Sequence, residues 1–271
     1  MSWFKSNVLE QGNDYKIVTW ADGTDEEIAA MLTAHYEGKI DVSDYWAVGD
    51  KRKIHLNAMS ATGVSESHHA DDYDFVIIGF KHDDLTTPIN GITKAAITIQ
   101  LDRMLFTDTT TEYDSSYDAA HEYGYMNSSN TNAGGWTSCA RRTWCNNVFF
   151  GALPQTIQDT IKQVDKKTSA GNKSLTINTD HDKIFLLSEI EIFGTTSYSY
   201  SGEGTQYQYF ADATSNRYKK PRYNSSYVSG HWWERSPRSS DSISFCIVYS
   251  DGSALNYDAS YAIGLVPACA L

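Results

Sequence analysis

The 271 residues predict an α+β domain of antiparallel strands, two or more helices and long loops. Three observations carry that expectation. Runs rich in β-branched residues lie early in the chain and again near its end, helical patterns lie between them, and no regular strand-helix alternation repeats. Hydrophobic residues at 41% and charged residues at 21% are ordinary globular usage, and 13% aromatics is too rich for a disordered chain.

The first element follows Asp22-Gly23, where Thr24 is placed to cap a helix and Glu27 to close a capping box. Ile28, Met31, Leu32 and His35 then share one helical face, and Gly38 ends it. Residues 52–57, 73–78 and 95–101 predict strands, each bounded by turn formers. From 107 to 136 Thr, Ser, Asn, Asp, Tyr and Gly displace any apolar period, which predicts a long surface excursion. Helical character returns over 138–150. A second helix is predicted from Pro154, a favourable first helical residue, through Ile157 and Ile161 to Val164. Residues 183–187 predict a compact strand, Ser188 the cap of a short helix through Phe193, and Gly194 its end. A Tyr/Ser/Gly-rich loop follows, through Tyr207. The last segment predicts strands at 231–235, 245–249 and 263–268, with Asp251-Gly252 as a hairpin turn.

Charge and cysteine content exclude several classes. With 22 Lys+Arg against 34 Asp+Glu the net charge is -12, the wrong sign for neutralising phosphates, so no nucleic-acid partner is expected. Cys139, Cys145, Cys246 and Cys269 form no C-x-x-C pair and are expected to be reduced and mostly buried. No apolar run approaches the roughly 20 residues of a membrane span, so no membrane insertion is expected. The N-terminus lacks the basic start and apolar stretch of a secretory signal, which predicts synthesis in the cytoplasm.

Motifs of hydrolases, nucleotide-binding proteins and EF-hands are missing from the sequence. Glu66, His68, His69, Asp71 and Asp72 crowd one short loop as the best metal candidate, but the motif is unspecific and a polar turn ahead of a strand is the preferred reading, so no metal or cofactor is expected. Ser236 with Glu234, Arg235 and His231 could be drawn as a hydrolytic set. Alternation along a strand opposes it, and Trp232-Trp233 beside it reads as packing. Cys139 and Cys145 near Arg141 and Arg142 read as buried thiols, and the arginines as partners of the many carboxylates.

One feature departs from generic composition. Lys, Glu, Gln, Met and Trp make up 44 of the 271 residues, so by simple proportion about six are expected in residues 235–271. That stretch has none. All five have codons ending only in A or G, so a segment restricted to codons ending in T or C would show this gap. Turns and edge strands also favour Ser, Asn, Asp and Tyr, which is the plain alternative. Tyr among Ser, Gly and Asn is in addition the composition of recognition surfaces.

The motifs Trp46-Ala-Val-Gly-Asp50, Tyr125-Met-Asn-Ser-Ser129, Gly134-Gly-Trp136, Ala140-Arg-Arg-Thr-Trp144, Leu187-Ser-Glu189, Ile192-Phe-Gly194, Trp232-Trp-Glu-Arg-Ser-Pro237 and Asp251-Gly252 resemble a prophage domain family of unknown biochemical function. Some of its members look like the variable proteins of diversity-generating retroelements, whose last segment is rewritten at template adenines. The resemblance runs from Tyr45 to Leu271. It implies an N-terminal strand and helix extension over 1–44 and a C-type-lectin-like ligand-binding domain over 45–271, with a variable segment at about 238–263. By the same resemblance, Trp232, Trp233, Arg235, Ser236, Pro237, Phe245, Val248, Asp251, Gly252, Gly264 and Pro267 form a fixed frame. The implied ligand-facing set is Ser239, Ser240, Asp241, Ser242, Ser244, Ile247, Tyr249, Ala254, Leu255, Asn256, Tyr257, Asp258, Ser260, Tyr261 and Ile263. Glu234 stands where Leu is commoner, and the usual Arg before Pro267 is missing.

The function so implied is non-catalytic adhesion at a phage tail tip. The protein is expected in the virion, alongside other tail proteins, with a host-cell surface protein or glycan as ligand and self-association left open. Two alternatives stay open: an enzyme on a scaffold like that of formylglycine-generating enzymes, for which Cys246 and Cys269 are the late cysteine candidates, and a purely structural tail component.

Overall fold

In the computed structural model, residues 15–65, 67–105, 124–219 and 230–271 are described. Helix α1 (Asp25–Tyr36) forms as its sequence predicts: Thr24 Oγ1 accepts from the Glu27 N–H, and the Glu27 carboxylate accepts from the Thr24 N–H. Its face of Ile28, Met31, Leu32 and His35 is buried, and Gly38 leaves the helix in the left-handed region. Strands β1 (Lys51–Leu56) and β2 (Asp71–Phe80) follow, then a short hairpin of β3 (Asp84–Ile89) and β4 (Ile92–Lys94), and β5 (Ile97–Leu101). The hairpin was not expected from the apolar pattern. Asn90-Gly91, both at positive φ, is its local signal.

The middle of the chain is helical but broken. A 3-10 turn (Gly135–Ser138) leads into α2 (Ala140–Trp144), which continues through a π-turn (Cys145–Phe149) into α3 (Phe150–Ala152). Asn146 in that π-turn accepts from the N–H groups of Lys183 and Ile184 and donates to Ile184 C=O, tying the helix to a distant turn. Pro154 is extended and precedes α4 (Gln155–Thr160), so the expected helix to Val164 ends early. Val164 instead opens β6 (Val164–Ser169), which pairs with β7 (Ile177–Asp182). Then come β8 (Ile184–Phe185), α5 (Glu189–Phe193) with a second capping box on Ser188 and Glu191, and α6 (Gln208–Asp212). The chain closes with β9 (Trp232–Pro237), β10 (Ser244–Val248), β11 (Ala254–Asp258) and β12 (Ala268–Ala270). The strand expected at 263–268 forms only from Ala268, because Ile263 and Gly264 make isolated bridges to Gly124 and Trp232.

These strands build three antiparallel sheets, ordered β1-β2-β5-β12-β8, β4-β3-β6-β7 and β11-β10-β9. One buried cluster runs from Trp20 to Leu271. Tyr36 Oη donates to Leu271 C=O at 2.9 Å and accepts from Ala96 N–H at 3.0 Å, so α1 is fastened to the last strand of the largest sheet. Residues 1–14 of the expected N-terminal extension, and 107–123 of the expected surface excursion, lie outside the described residues. Among the described residues, no helix is long and apolar enough to cross a membrane.

Candidate recognition face

The three-stranded sheet holds most of the residues expected as a frame. Trp232 and Trp233 on β9 are fully buried, and their indole N–H groups donate to Arg217 C=O at 3.0 Å and Gly124 C=O at 2.9 Å. Arg235 is buried as well. It forms a two-pronged pair with Glu191 and donates to Leu186 C=O and Glu203 C=O, both at 2.8 Å. Lys166 bridges Glu191 and Asp83 at 2.7 Å each, and Tyr207 Oη donates to Asp83. Two cations thus balance two carboxylates in the interior, which is the condition for burying charge at tolerable cost. Burial works against the Glu191 carboxylate, yet Arg235 and Lys166 hold it down to about 2. His82, Asp83 and Glu191 are grouped closely enough to ligate a metal, but the Lys166 ammonium already sits on two of them.

Two frame glycines have steric reasons. Gly252, at φ 77°, makes the turn between β10 and β11 and lies against the Tyr218 ring, 2.9 Å from where a Cβ would stand. A Cβ on Gly264 would meet the Met104 sulfur at 2.0 Å and His231 O at 2.6 Å. Pro237, Phe245, Val248 and Pro267 are buried, and Asp251 is exposed on the turn.

The fifteen expected ligand-facing residues separate by their place in the sheet. Ser244, Ile247 and Ile263 are buried and do not belong to an exposed face. Ser244 and Ile247 lie on β10, the central strand, covered on both sides, and Ile263 is bridged to Gly124. Ser240 and Tyr261 are exposed. Ser239, Asp241, Ser242, Tyr249, Ala254, Leu255, Asn256, Tyr257, Asp258 and Ser260 are half-buried. They fall into two neighbouring groups flanking β11. On one side the ring centroids of His231 and Tyr249 are 4.1 Å apart and those of Tyr257 and Tyr261 5.5 Å, with Tyr261 50% exposed. Burial pushes His231 down to about 4, so its imidazole is neutral at neutral pH. On the other side Arg238 donates to Asp241 and Asn256 at 3.1 Å each, and Asn130 Nδ2 donates to Asp258 at 3.1 Å.

The loop between β9 and β10 is held from beneath by a residue the motif reading missed. Asn132, fully buried, donates from Nδ2 to Ser244 C=O at 2.8 Å and accepts on Oδ1 from Asn172 N–H at 2.7 Å, while its own N–H donates to Ser242 C=O. Asp241 closes the same loop. Partial burial opposes its ionisation, but the N–H groups of Ile243 and Ser244 and the Ser244 hydroxyl hold its carboxyl below the ordinary value. Asn130 and Asn132 come from the Asn-rich stretch of the long excursion, where composition marks a loop without saying what it touches.

The remaining sequence candidates are dispersed. Ser236 donates to Glu203 and accepts from the Glu189 N–H, whereas His231 accepts from the Ser250 N–H, so no hydrolytic set assembles. Asp71 pairs with Arg103 and Asp72 with His55; His68 is buried, His69 is exposed, and Glu66 lies outside the described residues. All four cysteines are free and buried, and burial pushes the Cys139 thiol up to about 11. Cys246 and Cys269 sit on different sheets. Arg142 pairs with Asp182, as expected of the arginines, but Arg141 departs from that expectation: it is wholly buried, donates to Tyr125 and Val64 carbonyls and stacks on Trp144. Burial pushes Glu203 up to about 7 and Glu234 well above the carboxylate range, and neither Glu234 oxygen has a hydrogen-bond partner among the described residues.

Fold and face together define an antiparallel α+β domain whose last sheet carries a packed frame and a half-exposed edge. The chain belongs to a domain family of unknown function, DUF6273, whose model matches residues 102–271. Strands β1, β2 and β5 begin before or at the edge of that match yet share a sheet with β12 inside it. No curated protein and no solved structure matches the chain.

Proposed function

We propose that this protein is a non-catalytic receptor-binding protein, built on a C-type-lectin-like scaffold, that presents a diversified surface at a phage tail to a host-cell protein or glycan. The observation that carries the reading is a coincidence of two independent features. The stretch 235–271 lacks every residue whose codons end only in A or G, and twelve of its fifteen candidate positions are half-buried or exposed along one sheet edge and its flanking loops. Tyrosines at such an edge supply large contact area at little entropic cost, with Ser and Asn as adaptable neighbours.

The formylglycine-type alternative needs a cysteine pair in a cleft, and the placement of Cys246 and Cys269 on separate sheets, both buried, weighs against it. The test has two arms. Deep sequencing of codons 238–263 across a population is expected to find variation, with a near-copy of the segment nearby differing at adenines; an invariant segment without a template copy overturns the diversification. Replacing Tyr257 and Tyr261 together by Ser is expected to abolish adsorption to host cells with the fold unchanged, whereas a purely structural component would adsorb as before.

A further inference from the structure

The two outer edges of the last sheet are finished differently. Between β10 and β11 the register pairs Phe245 with Tyr257 and Ile247 with Leu255. Just outside the ladder, Tyr249 N–H donates to Ser253 C=O and Ala259 N–H to Ile243 C=O. In an antiparallel pair the bonded positions alternate, so Leu255 and Tyr257 turn their backbone groups inward. Ala254, Asn256 and Asp258 turn theirs outward. Among the described residues none of those three N–H groups has a backbone acceptor, and neither the Ala254 nor the Asn256 carbonyl has a donor; the Asp258 carbonyl accepts from Tyr261.

Open edges are usually blunted by lysine, proline, a bulge or brevity. Here β1 carries Lys51 and Lys53 at the rim of its sheet, and β8 and β4 are two and three residues long. Strand β7, at the edge of the second sheet, and β11 are six and five residues long, have no Pro, Lys or Arg, and pair without a register shift; Asp180 and Asp182 of β7 are buried, whereas every residue of β11 is half-buried.

We infer that β11 is a docking edge for an extended segment of a partner protein, which adds as a further strand. The inference rests on the reading of this face as ligand-binding and names the partner's class. Main-chain bonds to Ala254, Asn256 and Asp258 would hold any extended chain, while its alternate side chains would meet Tyr249, Leu255 and Tyr257 on one side and Asn256, Asp258 and Arg238 on the other. Affinity and specificity are thereby divided: the backbone supplies what every variant needs, and the variable side chains choose the partner. The charge of -12, with Asp251 and Asp258 at the edge itself, favours a segment with basic side chains and disfavours a second copy of this chain.

The test selects a displayed library of random linear peptides on the full-length chain. Enriched peptides are expected to alternate apolar and basic residues, and to slow amide hydrogen exchange at Ala254, Asn256 and Asp258 by about tenfold or more. Asn256→Pro, which removes an outward N–H that no backbone acceptor among the described residues uses, is expected to weaken binding at least about tenfold more than Asn256→Ser, which loses the same side chain and keeps the N–H. Alternate N-methylation of the selected peptide leaves the protein untouched and is expected to abolish binding. Retained affinity of the N-methylated peptide, unchanged exchange at the three amides, or a dimer of the free chain in which they are already protected would overturn strand addition. Loss of cell adsorption in the Tyr257 and Tyr261 variant, with no linear peptide enriched, would overturn it too while leaving the adhesion reading intact.

Discussion

Strands β9 and β11 border the same three-stranded sheet, yet one edge is sealed and the other is open. On β9 the Trp233 N–H donates to Gly264 C=O and the Arg235 N–H to Leu187 C=O, every residue is buried, and each indole and the guanidinium finds backbone acceptors. On β11 all five residues are half-exposed, and among the described residues the outward groups of Ala254 and Asn256 have no backbone partner. A single sheet can therefore keep one side invariant and free the other, because β10 between them isolates the edge from the core. The contrast predicts that substitutions on β9 act chiefly on stability, and that those at the outward positions of β11 act chiefly on binding.

The sharpest test of the sealed edge is Arg235→Met. It strands Glu191 in the interior with only Lys166 to offset it, and breaking a buried pair in this way costs about 3–5 kcal/mol. Urea denaturation should show that loss, and a change below about 1 kcal/mol would deny β9 its role as the frame.

A comparable effect is written into the pH dependence. Glu203 rises in the folded state to about 7 from 4.5, with burial as the cause. Its contribution is present below about pH 4.5 and is lost as the pH rises through about 7, on the order of 3 kcal/mol in total. Glu191 works in the opposite sense, lowered to about 2, so its contribution is lost as the pH falls from 4.5 through that value. Glu203→Gln should flatten the stability profile between pH 4.5 and 8 while leaving the acid limb in place. An unchanged slope across the neutral range would show that Glu203 is not held protonated by burial.

Local signals were legible in the sequence, and long-range ones were not. The capping box of Thr24 with Glu27 and the Ser188 cap form where the sequence places them, as does the turn at Asp251-Gly252. Each depends on neighbours within four residues. Strands β6 and β7 carry no apolar pattern because, apart from Val164, their buried positions are polar, and the burial of Lys166, Asp180 and Asp182 depends on partners such as Asp83, Thr137 and Trp136, at least some 40 residues away in the chain. Ser244, Ile247 and Ile263 were misplaced for a related reason. A resemblance of motifs places residues along the chain, while exposure depends on whether a strand is central or at an edge, a property of sheet order.

Asn132 fastens the loop between β9 and β10, and its loss should cost less than that of Arg235. Asn132→Ala removes two hydrogen bonds, leaving Ser244 C=O with the Arg238 N–H as its remaining partner and Asn172 N–H without its acceptor, at about 1–2 kcal/mol. It should also raise hydrogen exchange across residues 238–244 ahead of the rest of the sheet. Equal rises at β9 and β10 would mean that the loop and the frame unfold as one unit.

The smallest expected effect on stability is the most informative about the comparison. Asn256 makes one side-chain bond, to Arg238, and its backbone groups face outward, so Asn256→Ser should change the unfolding free energy by less than about 0.5 kcal/mol. The same should hold for Tyr261→Ser, since half of that side chain lies in solvent. Tyr257 sits between Tyr261 and the His231–Tyr249 pair, so Tyr257→Ser should cost more than either, by an amount that rises with how much of its ring the sheet covers. A series of such variants, each folded and each differing in what it binds, is what an edge insulated from its core would yield. If Asn256→Ser instead destabilised the protein as much as Asn132→Ala, β11 would have to be counted with β9 as part of the frame.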